Sequence, residues 1–523
     1  MTHDEALLLL RDFVRNPFHM LPIIYEPSTR ALIDTFYTEL GEGRPGDPIS
    51  AALILSIAST SASFFAQNFT AHDVFSSTDE AAQASVAWRQ TALILLDDTH
   101  SSNCKTFEEC QARTILAYVV SNSEGCSARF RFLHSCSVAA ARDMSLHLID
   151  SSNNTANTAD DLPTREIKRR LWWHLASTDW LLGLVGGPLD GTYSIQPRHF
   201  NVRLPRNLND NDLTQYDDTL TYPLNFPTQM SCFLQRIRLS EIIKASIDAR
   251  APGLSDVEVT DFNTVTRLDR LFETALSDLP PFLQIGAQVP PGAPLHLAQQ
   301  RDLILLCFHI RRARLHRPFL LHDTEEPRYE PSRRQCIVSA RTVLSIATGL
   351  LEGPSANGQG QIFCHASAYR AGLVISSIFL ACTILALNIG LTLHPVNPDA
   401  GEQRPVDANT EIVAEITRAC RTLVTAGEQS TFAANLVRNL MNVLRQYRVK
   451  DIEDLVETNT NTRTGAENHT INNENRAQPG LDEEATNLAD NLDLWNDFFT
   501  SMPGMDGYDQ LFAGLDSFCG PTW

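Results

Sequence analysis

Basic residues are scarce in this chain. Its 523 residues include 42 Lys and Arg against 62 Asp and Glu, a formal net charge of −20. Such a field repels phosphate backbones unless a separate basic patch overrides it. The basic clusters present are short: Arg165, Lys168, Arg169 and Arg170 in one place, Arg311, Arg312, Arg314 and Arg317 in another. Both lie in helix-like sequence and read as solvated or salt-bridged faces, and neither makes a nuclear-import signal. Close cysteine pairs are missing too. The nearest of the 11 cysteines are Cys104 and Cys110, and no Cys-x-x-Cys occurs. A structural zinc site needs two ligands within a turn of each other, so none is expected, and scattered thiols suit a reducing compartment. Residues 1–7 open with acids rather than a basic region, so no secretory signal is expected.

The signatures of catalysis are equally absent. There is no His-Glu-x-x-His and no Gly-x-Ser-x-Gly. The glycine-rich stretch holding Gly183, Gly186, Gly187 and Gly191 lacks phosphate-loop spacing and follows a helix rather than a strand. His174, between Trp173 and Leu175, reads as a core histidine. The chain is therefore not expected to be an enzyme, and no catalytic, cofactor or metal residue is assigned.

What is there is helical periodicity. Leu32, Ile33, Phe36, Tyr37 and Leu40 share one face, with Ser28 placed to cap, and the pattern recurs over 107–121, 129–148 and from Thr164 to Leu182. It resumes over 231–250, 261–279, 297–317, 333–351, 371–393 and 409–456. No alternating run is long enough for a sheet, so the fold expected is all-α. Between these helices, residues 187–228 carry Pro188, Pro197, Pro205, Pro223 and Pro227 with many Asn and Asp, which denies a long helix. The segment is either an ordered loop laid over the helices or a mobile one. Residues 48–72 and 371–398 contain no Lys, Arg, Asp or Glu, which is long enough to span a bilayer. The first is crowded with hydroxyls and reads as a buried helix. The second is a hydropathy peak with Asn388 at its centre and no aromatic belt, read as a buried central helix with a membrane span as the alternative.

The composition divides the chain into a helical domain over 1–456, an Asn/Thr-rich linker over 457–480 and an acidic tail over 481–523. The tail holds nine acids, seven aromatics and no Lys or Arg. Interleaved acids keep such a segment solvated, leaving Trp495, Phe498, Phe499 and Phe512 available to a partner's groove. A disordered activation segment fits this pattern, and so does an ordinary C-terminal helix docked on the body.

From Arg165 to Leu213 the sequence resembles the middle regulatory region of fungal binuclear-zinc-cluster transcription factors. The resemblance rests on a Glu-x-x-Arg-Arg-x-Trp-Trp helix leading to an Asp and a Gly-Pro turn, matched here by Glu166, Arg169, Arg170, Trp172, Trp173, Asp179 and Pro188. An Ala-Arg-x-x-x-Leu-His-like segment near Arg142 and the Leu315–Phe319 run (Leu-His-Arg-Pro-Phe) are similar to flanking family segments. The motif helix carries Trp172, Trp173 and Trp180 within nine residues. It reads as core, with Arg169 and Arg170 pairing acids such as Asp179 or capping the following loop. The alternative is an effector pocket between this helix and the Gly-Pro loop.

The resemblance implies a nuclear transcriptional regulator or coregulator of metabolic genes, among them secondary-metabolite clusters. Its partners would be the transcription machinery or a DNA-bound factor, and the body would serve homo- or hetero-dimerisation. The family's six-cysteine zinc cluster is not in this sequence, where the first cysteine is Cys104. Sequence-specific DNA binding is therefore not carried over, and no zinc is expected. The alternative is a cytoplasmic helical interaction scaffold.

Overall fold

The computed structural model describes residues 1–15, 20–65, 74–98, 106–152, 160–184, 189–214, 218–250, 261–320, 326–352, 372–393, 406–427, 437–438 and 440–441. Among the described residues the regular elements are helices and no strand occurs, as the periodicity implies. The first seven are α1 (His3–Arg15), α2 (Glu26–Gly41), α3 (Pro48–Ser63), α4 (Thr78–Asp98), α5 (Phe107–Glu124), α6 (Ala128–Asp143) and α7 (Leu162–Leu182). They are followed by α8 (Ser231–Asp248), α9 (Phe262–Ser277), α10 (Leu297–His316), α11 (Glu330–Glu352), α12 (Gly372–Leu393) and α13 (Val406–Gly427). The linker, the acidic tail and most of 428–456 lie outside the described residues.

Several starts are set by side chains that satisfy a free N–H of the first turn. Asp47 accepts from the Ser50 amide at 2.8 Å and Asp161 from the Thr164 amide at 2.9 Å. Two expected boundaries need correction. Ser28 does not cap α2: the helix begins at Glu26 without a side-chain cap, and the Ser28 hydroxyl donates to the Tyr25 carbonyl from within the first turn. The helix expected over 129–148 ends at Asp143, because Ser145 adopts φ 56°, a left-handed conformation that no helix continues through.

Two apolar cores result, and α7 and α8 contribute to both. One gathers α1–α6 against Trp172, Trp173 and Trp180 of α7 and Phe233 and Ile237 of α8. The other packs α8–α13 together, with Leu181 of α7 at its edge and α12 at its centre. In α12, Leu373 through Leu387 are buried without a break, so the hydropathy peak is a helix apolar all round because it is covered all round. Among the described residues, no helix is long and apolar enough to cross a membrane.

The hydroxyl-rich α3 is also buried, and its polar groups are answered locally. Ser56 and Thr60 donate to carbonyls one turn back, and Ser61 reaches the Leu9 carbonyl of α1. Ser59 and Ser85 bond reciprocally, each hydroxyl donating to the other's carbonyl at 2.8 Å. Small side chains at this crossing let the backbones of α3 and α4 approach closely. Ser85→Leu is expected to force them apart and to cost about 2 kcal/mol, as overpacking of a tight core does. A lower urea midpoint would report it, while Val86→Ser, at an exposed neighbouring position, should leave the midpoint in place.

Candidate functional site

Helix α7 is buried on nearly every face from Glu166 to Leu182, with Lys168 half-buried. Its first half carries charge and its second half indoles, and the long Pro/Asn-rich loop is anchored to both. Buried charges must be paired and hydrogen-bonded to be tolerated, and the loop supplies most of the partners. Glu166, 0% exposed, accepts from Arg170 Nε at 3.3 Å, from the Arg206 amide at 3.0 Å and from Arg206 Nε at 3.3 Å. Arg169 meets Asp150 through Nη2 at 2.6 Å and Asp218 through Nη1 at 3.2 Å, while Arg170 Nη1 reaches Asp210 at 2.6 Å. Arg203 closes the ring, its amide donating to Asp150 at 2.8 Å and its Nη2 to Asp218 at 2.7 Å. Four carboxylates (Asp150, Glu166, Asp210, Asp218) thus face four guanidiniums (Arg169, Arg170, Arg203, Arg206), with Arg165 as a fifth 3.9 Å from Asp218.

The electrostatics follow the geometry. Burial pushes the Asp218 carboxyl up, but hydrogen bonds and charge from Arg169 and Arg203 outweigh it and hold the group down at about 2. Asp150 is lowered for the same reasons, with the Arg203 amide adding to the effect. Burial disfavours the charge on Arg169, yet Asp150 and Asp218 leave it more firmly protonated than usual.

The pairing of Arg169 or Arg170 with Asp179 does not occur. Nine residues separate Arg170 from Asp179, about 13 Å along the axis and half a turn round it. Asp179 instead holds the start of the loop, accepting from the Ser194 and Ile195 amides at 2.8 and 2.7 Å and from the Ser194 hydroxyl at 2.8 Å. The indoles continue the seam. Trp173 donates to the Arg203 carbonyl and Trp180 to the Ile195 carbonyl, each at 2.8 Å. Phe200 of the loop inserts among the three tryptophans, its ring centroid 5.6 Å from Trp172, 5.5 Å from Trp173 and 6.5 Å from Trp180. Further along, the Asn207 amide donates to the carbonyls of Tyr222, Pro223 and Phe226 at 3.3, 3.0 and 3.1 Å, which folds the loop back on itself. Of the two readings of residues 187–228, the described parts are the ordered loop.

Glu166, Arg169, Arg170, Trp172, Trp173, Asp179 and Trp180 are therefore brought together as one seam between helix and loop. Asp150, which precedes α7, and the loop members (Phe200, Arg203, Arg206, Asn207, Asp210, Asp218) were not legible from spacing. The only signal for them was the density of Asn, Asp and Pro. The tail residues Trp495, Phe498, Phe499 and Phe512, and Pro188 of the Gly-Pro turn, lie outside the described residues. Among the described residues no three His, Cys, Asp or Glu side chains converge as a metal site would need.

The family model described as "Fungal specific transcription factor domain" matches residues 10–312. The chain belongs to this family. "Transcription factor TAS2" of Pyricularia oryzae is 36% identical over all of this chain and 74% of its own length. "Probable transcription factor lepB" of Aspergillus flavus is 32% identical over 98% of this chain and 92% of its own length. At 27% identity, "Agnestins biosynthesis cluster transcription factor AgnL11" of Paecilomyces divaricatus aligns with 81% of this chain and 58% of itself. The chain is, in this coarse sense, a transcriptional regulator.

Glu166→Gln is expected to cost about 3–5 kcal/mol in urea unfolding, since it removes a buried charge that Arg170 and Arg206 share. Asp218, whose folded pKa is depressed, contributes stability that is complete above its unfolded pKa near 4 and lost as pH falls through about 2. Asp218→Asn should accordingly lower the melting temperature at pH 7, with the gap to wild type closing between pH 4 and pH 2.

Proposed function

We propose that this chain acts in the nucleus on metabolic genes that work together, such as a secondary-metabolite cluster, and reaches their promoters through a DNA-bound protein partner. The observation that supports a carried rather than a direct contact is the fate of the basic clusters. Arg165, Lys168, Arg169 and Arg170 face Asp218, Asp160, Asp150 and Asp210. In the second cluster, Arg312 pairs with Asp269 and Arg314 with Asp190. Cations already neutralised inside the fold release no counterions on meeting a phosphate backbone, and so add little to DNA affinity. The name of one relative, a factor of a biosynthesis cluster, supports the metabolic assignment.

In this reading the helical body dimerises, with a second copy or a related factor. The segment 481–523 presents Trp495, Phe498, Phe499 and Phe512 to the transcription machinery, in the manner of an acidic stretch that orders on binding. No catalytic step, cofactor or zinc enters it.

The test is chromatin occupancy of the protein tagged at its own locus, together with binding of purified full-length chain to the same promoters as bare DNA. Discrete promoter peaks with no tight binding to bare DNA are expected. Peaks accompanied by salt-sensitive, sequence-specific binding of the purified chain would overturn the partner clause, and no enrichment at any promoter would overturn the whole reading. The triple variant Trp495→Ala, Phe498→Ala, Phe499→Ala should keep its occupancy and lose several-fold in transcript from the occupied genes.

A further inference from the structure

Beyond the ends of α7 and α8, a cleft opens that the seam does not use. It is bounded by Leu184 after α7, the end of α8, α9 and the last turns of α10, and it is partly open to solvent. Its lining combines apolar side chains, Leu268 and Phe272 of α9 with Leu315 and Pro318, and three arginines, Arg250, Arg311 and Arg314. Asp190 lies 3.4 Å from Arg250 and 3.3 Å from Arg314. Asp269, the acid next along α9, is committed to Arg312 at 2.5 Å and to His316 at 2.9 Å.

Arg311 is the group without an explanation. It is 7% exposed, its Nε makes no hydrogen bond, and no carboxylate among the described residues pairs with it. The next buried guanidinium inward offers no relief. Arg236, 1% exposed, donates to the hydroxyls of Ser177 and Thr178 and meets no carboxylate among the described residues; burial, opposed by Cys307 and reinforced by Arg311, lowers its pKa to about 9. A buried guanidinium facing a cleft, backed by a second one and lacking a counter-ion, is a costly arrangement unless an anion completes it. The planar fork of an arginine suits a carboxylate in particular. The apolar side chains in the same lining make a bare inorganic anion the poorer fit, because such an ion would leave Leu268 and Phe272 facing water or itself lose hydration against them.

We propose that this cleft binds a small organic acid, its carboxylate on Arg311 and Arg314 and a compact apolar ring against Leu268, Phe272 and Pro318. The site adjoins the Gly-Pro loop through Asp190 and the end of α7 through Leu184, so an occupant would touch both ends of the helix–loop seam. Binding is a property of the folded chain and does not depend on its acting at promoters.

Calorimetric titration of the purified full-length chain with benzoate, benzamide and inorganic phosphate tests this. Benzoate should bind saturably, one per chain, at least tenfold more tightly than benzamide or phosphate. Arg311→Met should abolish that preference and leave the melting temperature equal or higher, since it removes an unpaired buried charge. Leu268→Trp, which adds bulk to the apolar lining, should block benzoate while Arg311 remains in place. No saturable benzoate binding to wild type would overturn the proposal, as would equal affinity for benzamide or phosphate, or undiminished binding by both variants. None of these results bears on promoter occupancy, so the two readings fail separately.

Discussion

A carboxylate removed entirely from water has to be surrounded by cations and hydrogen-bond donors, and most of this architecture arranges that for Glu166. Its partners come from the same helix, one turn on, and from Arg206 forty residues away. Those arginines then require acids of their own, which Asp150, Asp210 and Asp218 provide. Each charge added to satisfy the last carries another piece of chain into place, until the loop after α7 lies against the helix. The cluster ends where its outer members, Arg203 and Asp218, reach solvent and can be screened.

The seam also explains why α7 lies between two apolar cores. A helix covered on all sides cannot end its polar face at the surface, so that face must be capped by something other than water. The loop does this with backbone carbonyls for the indoles of Trp173 and Trp180 and with backbone amides for Asp179. On the far side α8 passes alongside, giving Phe233 and Ile237 to one core and Ile243 and Ile247 to the other. Gly183 shows how close the fit is. A β-carbon there would meet the Thr192 carbonyl and the Ile247 side chain at 2.4 Å, and Gly191, with φ 71°, donates to the Gly183 carbonyl at 2.8 Å.

Helical periodicity made the elements of the body legible, because a one-sided or all-round apolar pattern depends only on neighbours three and four residues apart. The family helix was legible for the same reason: Glu166, Arg169, Arg170 and the tryptophans are spaced along one element. The partners of that helix were not. Asp150 pairs with Arg169 across 19 residues, Asp210 with Arg170 across 40 and Asp218 with Arg169 across 49. Pairs at such separations leave no repeat in the sequence, and an aspartate in a loop looks the same whether it is solvated or buried. Asp179, offered by the sequence as one acid those arginines could meet, lies on the opposite side of the helix from Arg170 and binds the loop instead. Arg311, with which no acid among the described residues pairs, was hidden for the opposite reason, lying in a run of arginines in which Arg312 and Arg314 have acids of their own.

Three of the chain's six tryptophans stand in one small volume around Phe200. Two of them donate to loop carbonyls, so parting loop from helix would take their surroundings from apolar and dry to aqueous. The protein therefore carries its own optical gauge. A red shift in its ultraviolet emission, over the background of Trp88, Trp495 and Trp523, would report the loop leaving the helix with no dye attached.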